Sequence, residues 1–249
     1  MQNTRTPESI AAAPLSAERA AVWEDFIDIF YAPSLVFARR ARASFWIPLL
    51  VVTLVMGALF FLNSGVLQPV MEAEFNRGIA AAMRSNPRLT PEMADSFRQT
   101  GMRIASVVGF VFVPIAIFMT GSALWLIGKL LESKQAYGAA LMVAAYAWVP
   151  RILEAALNGL QGLFLDPSQL NGRFRLTLGV GRFLDPDTTS PVLLGFIGRI
   201  DVFTIWVTVL LAIGLSVTGG ISRSRAALAA PLIWAAGAIP VLFQAMRSN

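Results

Sequence analysis

The chain contains no cysteine and no histidine. The first absence removes disulfides, thiolate nucleophiles and Cys-ligated metals, so cysteine usage says nothing about compartment. The second removes Ser-His and Cys-His pairs and the HExxH zinc site. Neither a GxxxxGK[ST] phosphate loop nor a GxSxG elbow occurs. An intramembrane aspartyl protease needs two membrane Asp residues sharing a proton, and Asp201 is alone among aspartates in falling inside a long apolar run. These absences predict a non-enzymatic protein without metal or cofactor.

Charge is scarce as well. Charged residues make up 14% of the 249 and hydrophobic ones 56%, with a mean hydropathy of +0.63. Soluble domains run near one quarter charged, so this composition belongs in a bilayer. Of the 20 Lys and Arg, only Arg151 and Arg199 lie within apolar runs, which is the arrangement hydrocarbon enforces. The net charge of +5 points to anionic headgroups as partner. No basic, aromatic-interleaved soluble patch suggests nucleic acid. The first long run begins near Phe45, too far into the chain for a signal peptide, and no cleavage is expected.

Five runs, at about 45–64, 104–127, 136–165, 192–218 and 226–246, reach the ~20 residues a bilayer requires. They predict an all-α integral membrane domain over 45–246 with five transmembrane helices. Pro114, Pro231 and Pro240 fall inside runs and are expected to kink rather than break them. Residues 1–16 read as a disordered tail and 17–44 as a juxtamembrane segment. There Val22, Trp23, Phe26, Ile27, Ile29 and Phe30 recur at helical spacing opposite Glu24, Asp25 and Asp28, predicting an amphipathic helix on a surface. Trp23, Phe26 and Phe30 would then contact headgroups, the bundle or an unidentified membrane protein partner. Arg39, Arg40 and Arg42 precede the first span as a basic stop at cytoplasmic headgroups or a dedicated lipid patch.

The 65–101 connection has two helical periodicities separated by "NPRLTP", predicting a helical hairpin outside the hydrocarbon. In the 166–191 connection, "RFRLTLGVGRFL" alternates around Gly179 and Gly181, which predicts a short β-hairpin. Lys and Arg are evenly split between the two sides. The short basic loops "GKLLESKQ" and "GISRSR" place the N-terminus in the cytoplasm and the C-terminus outside.

Within the third run Ala147, Arg151, Glu154, Asn158 and Gln161 follow one another at steps of four and three, so they form one polar face. The fourth run adds Arg199 and Asp201. With 1.5 Å rise per residue, Arg151 and Glu154 lie about 21 and 16 Å from the outer end, and Arg199 and Asp201 about 11 and 14 Å. Pairing of Arg151 with Asp201 and of Arg199 with Glu154 is feasible. Three readings stay open: a structural lock between helices, a solute or ion pathway, and a wet interfacial helix.

"DVFTIWVTVLLAIGLS" at 201–216 resembles the Yip1 domain family of multispanning membrane proteins. So do "EDFIDIFYAPSLVFARR" before the first span, the external "LTPEM" segment, and "AYGAALMVAAYAWVP" in the third run. The likeness covers roughly 23–244, including the five-span order. It implies a membrane-organising or partner-binding role, with a small-solute transporter or channel as the alternative. Eukaryotic relatives carry an Asp-Leu-Tyr-Gly-Pro-like motif and bind prenylated Rab GTPases. Here Asp28-Ile-Phe-Tyr-Ala-Pro33 has one extra residue and Ala for Gly, a departure that argues against Rab-type binding. The resemblance is stronger to bacterial members, which implies a bacterial cytoplasmic membrane.

Overall fold

The structure, a computed structural model, describes residues 21–86 and 88–239. The expected tail at 1–16 and the end of the fifth run lie outside the described residues. Ten α-helices follow in order: α1 Asp25–Asp28, α2 Pro33–Arg40, α3 Trp46–Asn63, α4 Gln68–Ser85, α5 Pro91–Leu130, α6 Tyr137–Ala147, α7 Val149–Phe164, α8 Pro191–Ile197, α9 Val202–Gly219 and α10 Arg223–Ala236. Among the described residues four stretches are long and apolar enough to cross a membrane: Trp46–Asn63, Val107–Leu130, Tyr137–Phe164 and Val202–Gly219. In the described part of the fifth run the chain forms the end of the 14-residue α10, Arg223–Ala236, too short to span by itself.

The expected helical hairpin is present, and its second arm does not stop at the membrane. Thr90 caps α5 by accepting from the Met93 N–H at 3.3 Å, with Pro91 in the first turn. From there the helix runs 40 residues without interruption. Pro114 sits inside it without ending the helix.

The centre of the bundle is α6. Every residue from Ala140 to Ala147 is buried, and its alanines allow close approach by neighbours. A Cβ added to Gly121 of α5 would stand 2.7 Å from Leu141 Cδ2 and 3.1 Å from Leu141 Cα. The α5–α6 turn is tied to the end of α9: Lys134 N–H and Ser133 Oγ donate to the Gly219 carbonyl, and Gln135 Nε2 donates to Thr218 Oγ1 at 2.6 Å. Gly220, at φ 66°, then turns the chain in the left-handed conformation that ends helices. These short connections define one end of the bundle; the α4–α5 hairpin and the 166–191 connection define the other.

Three expectations need correction. The fourth run is not one helix. It ends as α8 at Ile197 and restarts as α9 at Val202, because Asp201 turns its carboxylate onto the Phe203 and Thr204 N–H groups at 2.9 and 3.2 Å as an N-cap. Nor do residues 166–191 form a β-hairpin. They wind through three 3₁₀ turns at Pro167–Gln169, Arg173–Leu176 and Val180–Phe183, with an isolated antiparallel bridge between Gly179 and Asp201. The glycines read as a hairpin turn instead allow close packing: a Cβ on Gly181 would stand 2.8 Å from Gly198 Cα. Finally, the juxtamembrane segment is not a continuous amphipathic helix through 31. Within the described residues it is the single turn α1, followed by α2 with Pro33 at its first position, and both are built into the bundle.

Candidate functional site

The juxtamembrane segment is held by a carboxylate that helical periodicity had placed on the solvent side. Asp25 is fully buried. Its Oδ1 accepts from Arg39 Nε at 2.6 Å, and its Oδ2 from Arg40 Nε at 2.6 Å and from the Tyr146 hydroxyl at 3.0 Å. Two cations from α2 and a phenol from the central α6 thus converge on one anion. Burial of an ion is tolerated only when partners of this kind replace its water. Arg39 also donates to Asp28, which accepts from the Tyr31 hydroxyl at 2.6 Å. The Tyr31 and Arg39 donors hold the Asp28 carboxyl below its usual pKa.

The consequence is a rotation of the segment about its axis. Ile29, Val36 and Phe37 join Asp25 inside, while Phe26 packs on Tyr146 and Phe30 meets Trp206 edge-on, with ring centroids 5.6 and 5.3 Å apart. Trp23, Ile27, Tyr31 and Leu35 face outward; Trp23 is 64% and Tyr31 70% exposed. Trp23, Ile27 and Tyr31 belong to the turn in and around α1, and Leu35 to the first turn of α2. Tyr146 lies nine residues beyond Tyr137, so Asp25 is anchored about 14 Å in from the start of α6.

The predicted aromatic set Trp23, Phe26 and Phe30 therefore divides, Phe26 and Phe30 inward and Trp23 outward. The predicted basic stop divides too. Arg39 and Arg40 are engaged by Asp25, and Arg42 is exposed. Sequence reading missed Asp25 and Tyr146. A signal existed: Asp25 lies three residues after Val22 and four before Ile29, on the flank of the apolar face.

The intramembrane charges also have partners other than those anticipated. Arg151 Nη1 donates to Glu154 on its own helix at 2.6 Å, and Nη2 donates to Thr204 Oγ1 of α9 at 3.0 Å. Arg199 turns away from Glu154, giving hydrogen bonds to the Trp234 and Gly237 carbonyls at 2.7 and 2.8 Å and stacking its guanidinium 5.3 Å from the Trp234 ring centroid. Asp201 is the cap described above. Asn158 is half-buried on the same face of α7, and Gln161 donates to the Leu176 carbonyl at 2.8 Å. The structure thus joins Arg151 with Glu154 and sends Arg199 and Asp201 to backbone groups. Helix ends supply such groups unpaired: the start of α9 takes up Asp201 and the end of α10 takes up the two Nη groups of Arg199, whose buried Nε has no hydrogen-bond partner among the described residues.

Apolar spans, a nearly solid central helix and buried charges with local partners define a polytopic helical membrane protein. The Yip1 domain model matches residues 27–243, and the chain belongs to the Yip1 domain family. It is similar to "Membrane protein YknW" of Bacillus subtilis (strain 168), with 24% identity over 224 residues, covering 89% of this chain and 90% of that protein. No solved structure matches. The Asp28–Pro33 stretch that carries part of the family likeness has a structural task in this chain: Asp28 and Tyr31 bond to one another, and Pro33 opens α2.

Proposed function

We propose that this protein is a non-enzymatic, partner-binding protein of a bacterial cytoplasmic membrane, and that the outward row Trp23, Ile27, Tyr31 and Leu35 receives another membrane protein. The N-terminus is cytoplasmic and the C-terminus emerges outside through a fifth span over 226–246. The observation that carries this reading is the anchoring of Asp25. A lipid-seeking helix needs no buried ion cluster to lie on a headgroup surface, whereas a docking surface gains from being held in one orientation before its partner arrives. Rab-type GTPases are not the partner proposed, because Ala32 and the extra residue depart from the motif of the eukaryotic relatives.

Because Phe26 is packed on Tyr146, it is unsuitable for testing the surface; Trp23 and Ile27 are suitable. Trp23→Ala with Ile27→Ala is expected to leave the unfolding transition in detergent unchanged. A photo-crosslinker at Tyr31 is expected to trap a defined protein in membranes and to lose it in the double variant. Crosslinks to lipid alone, or a protein adduct indifferent to both substitutions, would refute the proposal.

A further inference from the structure

A cavity of about 480 Å³ lies in the 166–191 connection, lined by Leu165, Ser168, Gln169, Asn171, Arg175, Arg182 and Phe183. Two arginines line it and no carboxylate does. Arg175 spends Nε on Asn171 Oδ1 at 3.1 Å and Nη1 on the Arg182 carbonyl at 3.0 Å, and Nη2 has no hydrogen bond among the described residues. The half-buried Arg182 side chain has no hydrogen-bond or ion-pair partner among the described residues.

No neighbouring carboxylate forms an ion pair with Arg175 or Arg182 among the described residues. Asp166 accepts from Ser168 N–H and Oγ; Glu74 and Asp187 accept from Arg77; Asp185 accepts from the Asp187 N–H. Two half-buried guanidinium groups therefore share one recess without an anion. Like charges so placed lower each other's stability until a counter-charge arrives, and the planar fork of arginine is matched to oxyanions.

The position of the recess indicates what brings that charge. Leu165 immediately follows the last residue of a span, Phe164, which is 87% exposed, and Phe183 on the cavity wall is 80% exposed. We infer that the Arg175–Arg182 cavity binds a phosphate ester at the level of the headgroups, the phosphate between the two guanidinium groups and an attached acyl chain along Phe164 and Phe183. Its volume lies in the ordinary range for small-ligand sites. An anionic phospholipid supplies both parts; a free phosphate supplies the first alone.

The test uses the full chain in a neutral detergent with three probes: phosphatidylglycerol, phosphatidylcholine and inorganic phosphate, read by native mass spectrometry and by equilibrium titration. Saturable one-to-one binding of phosphatidylglycerol, tenfold or more tighter than phosphatidylcholine, is expected. Arg182→Gln is expected to weaken it at least tenfold with an unchanged unfolding transition, since Arg182 makes no side-chain bond that the fold needs. Arg223→Gln, on the exposed start of α10 at the opposite end of the bundle, is the control and is expected to change nothing. Arg182-dependent binding of inorganic phosphate at the affinity of the lipid would identify a free phosphate compound as the occupant. Phosphatidylglycerol binding unaltered by Arg182→Gln, or matched by phosphatidylcholine, would overturn the inference.

Discussion

Replacing Asp25 by Asn keeps the shape of the side chain and removes its charge, which isolates the electrostatic part of the anchor. In the structure this carboxylate accepts from Arg39, Arg40 and Tyr146 while fully buried. Breaking a buried ion pair costs roughly 3–5 kcal/mol. Here the arginine side chains keep 27% and 21% exposure, and Arg39 retains Asp28. Water and Asp28 offset part of the loss, giving an expected destabilisation of about 2–3 kcal/mol. Tyr146→Phe removes one hydrogen bond to a charged acceptor, about 1.5–3 kcal/mol. The two substitutions act on one contact, so the double variant is expected to lose less than the sum by about 1 kcal/mol or more. Equilibrium unfolding of the full chain in detergent measures all three, and trypsin cleavage after Arg39 and Arg40 reports release of α2. An Asp25→Asn protein within about 0.5 kcal/mol of wild type, cleaved at the wild-type rate, would refute the anchor.

Other expectations follow from the same contacts. Gly121→Val drives a branched side chain against Leu141 and is expected to cost about 1–3 kcal/mol or more, measured by unfolding in detergent. Asp201→Asn preserves a good N-cap and is expected to cost less than about 1 kcal/mol, whereas Asp201→Ala should cost about 1–2 kcal/mol, both measured by unfolding in detergent. Because the folded-state pKa of Asp28 is lowered, its stabilising contribution is present above its unfolded value of about 3.9 and is lost as pH falls through the folded value. Trypsin-independent probes of α2 release, such as labelling of an Ala38→Cys variant, should therefore change below about pH 4 in wild type and lose that component in Asp28→Asn.

The long runs were legible because a bilayer imposes length and apolarity together, and the α4–α5 hairpin because "NPRLTP" punctuates two clear periodicities. What escaped reading was the use of polar groups at element ends. Hydropathy carries the fourth run straight across Gly198–Asp201, since Ile197, Ile200 and Val202 surround the break; only the capping capacity of Asp201 marks it. Asp25 escaped for a related reason. An acidic residue beside an apolar face is assigned to water unless its counter-charges are known, and Arg39 and Arg40 lie 14 and 15 positions away. The alternation in "RFRLTLGVGRFL" suggested strands, yet a strand requires a partner along its length, and this segment has one bridge, at Gly179.

The 40 residues of α5 make a rod about 60 Å long, twice the thickness of the hydrocarbon it crosses. Its far arm, around Phe97, is packed lightly beside α4, while its other end, near Gly128, is pinned to Ser133 and Leu215. Between the two, near Gly121, α5 lies so close to α6 that an added Cβ would meet Leu141. Within α5 Pro114 leaves the Phe110 carbonyl without its helical N–H. One continuous helix thereby joins the α4–α5 hairpin at one end of the bundle to the α5–α6 turn at the other.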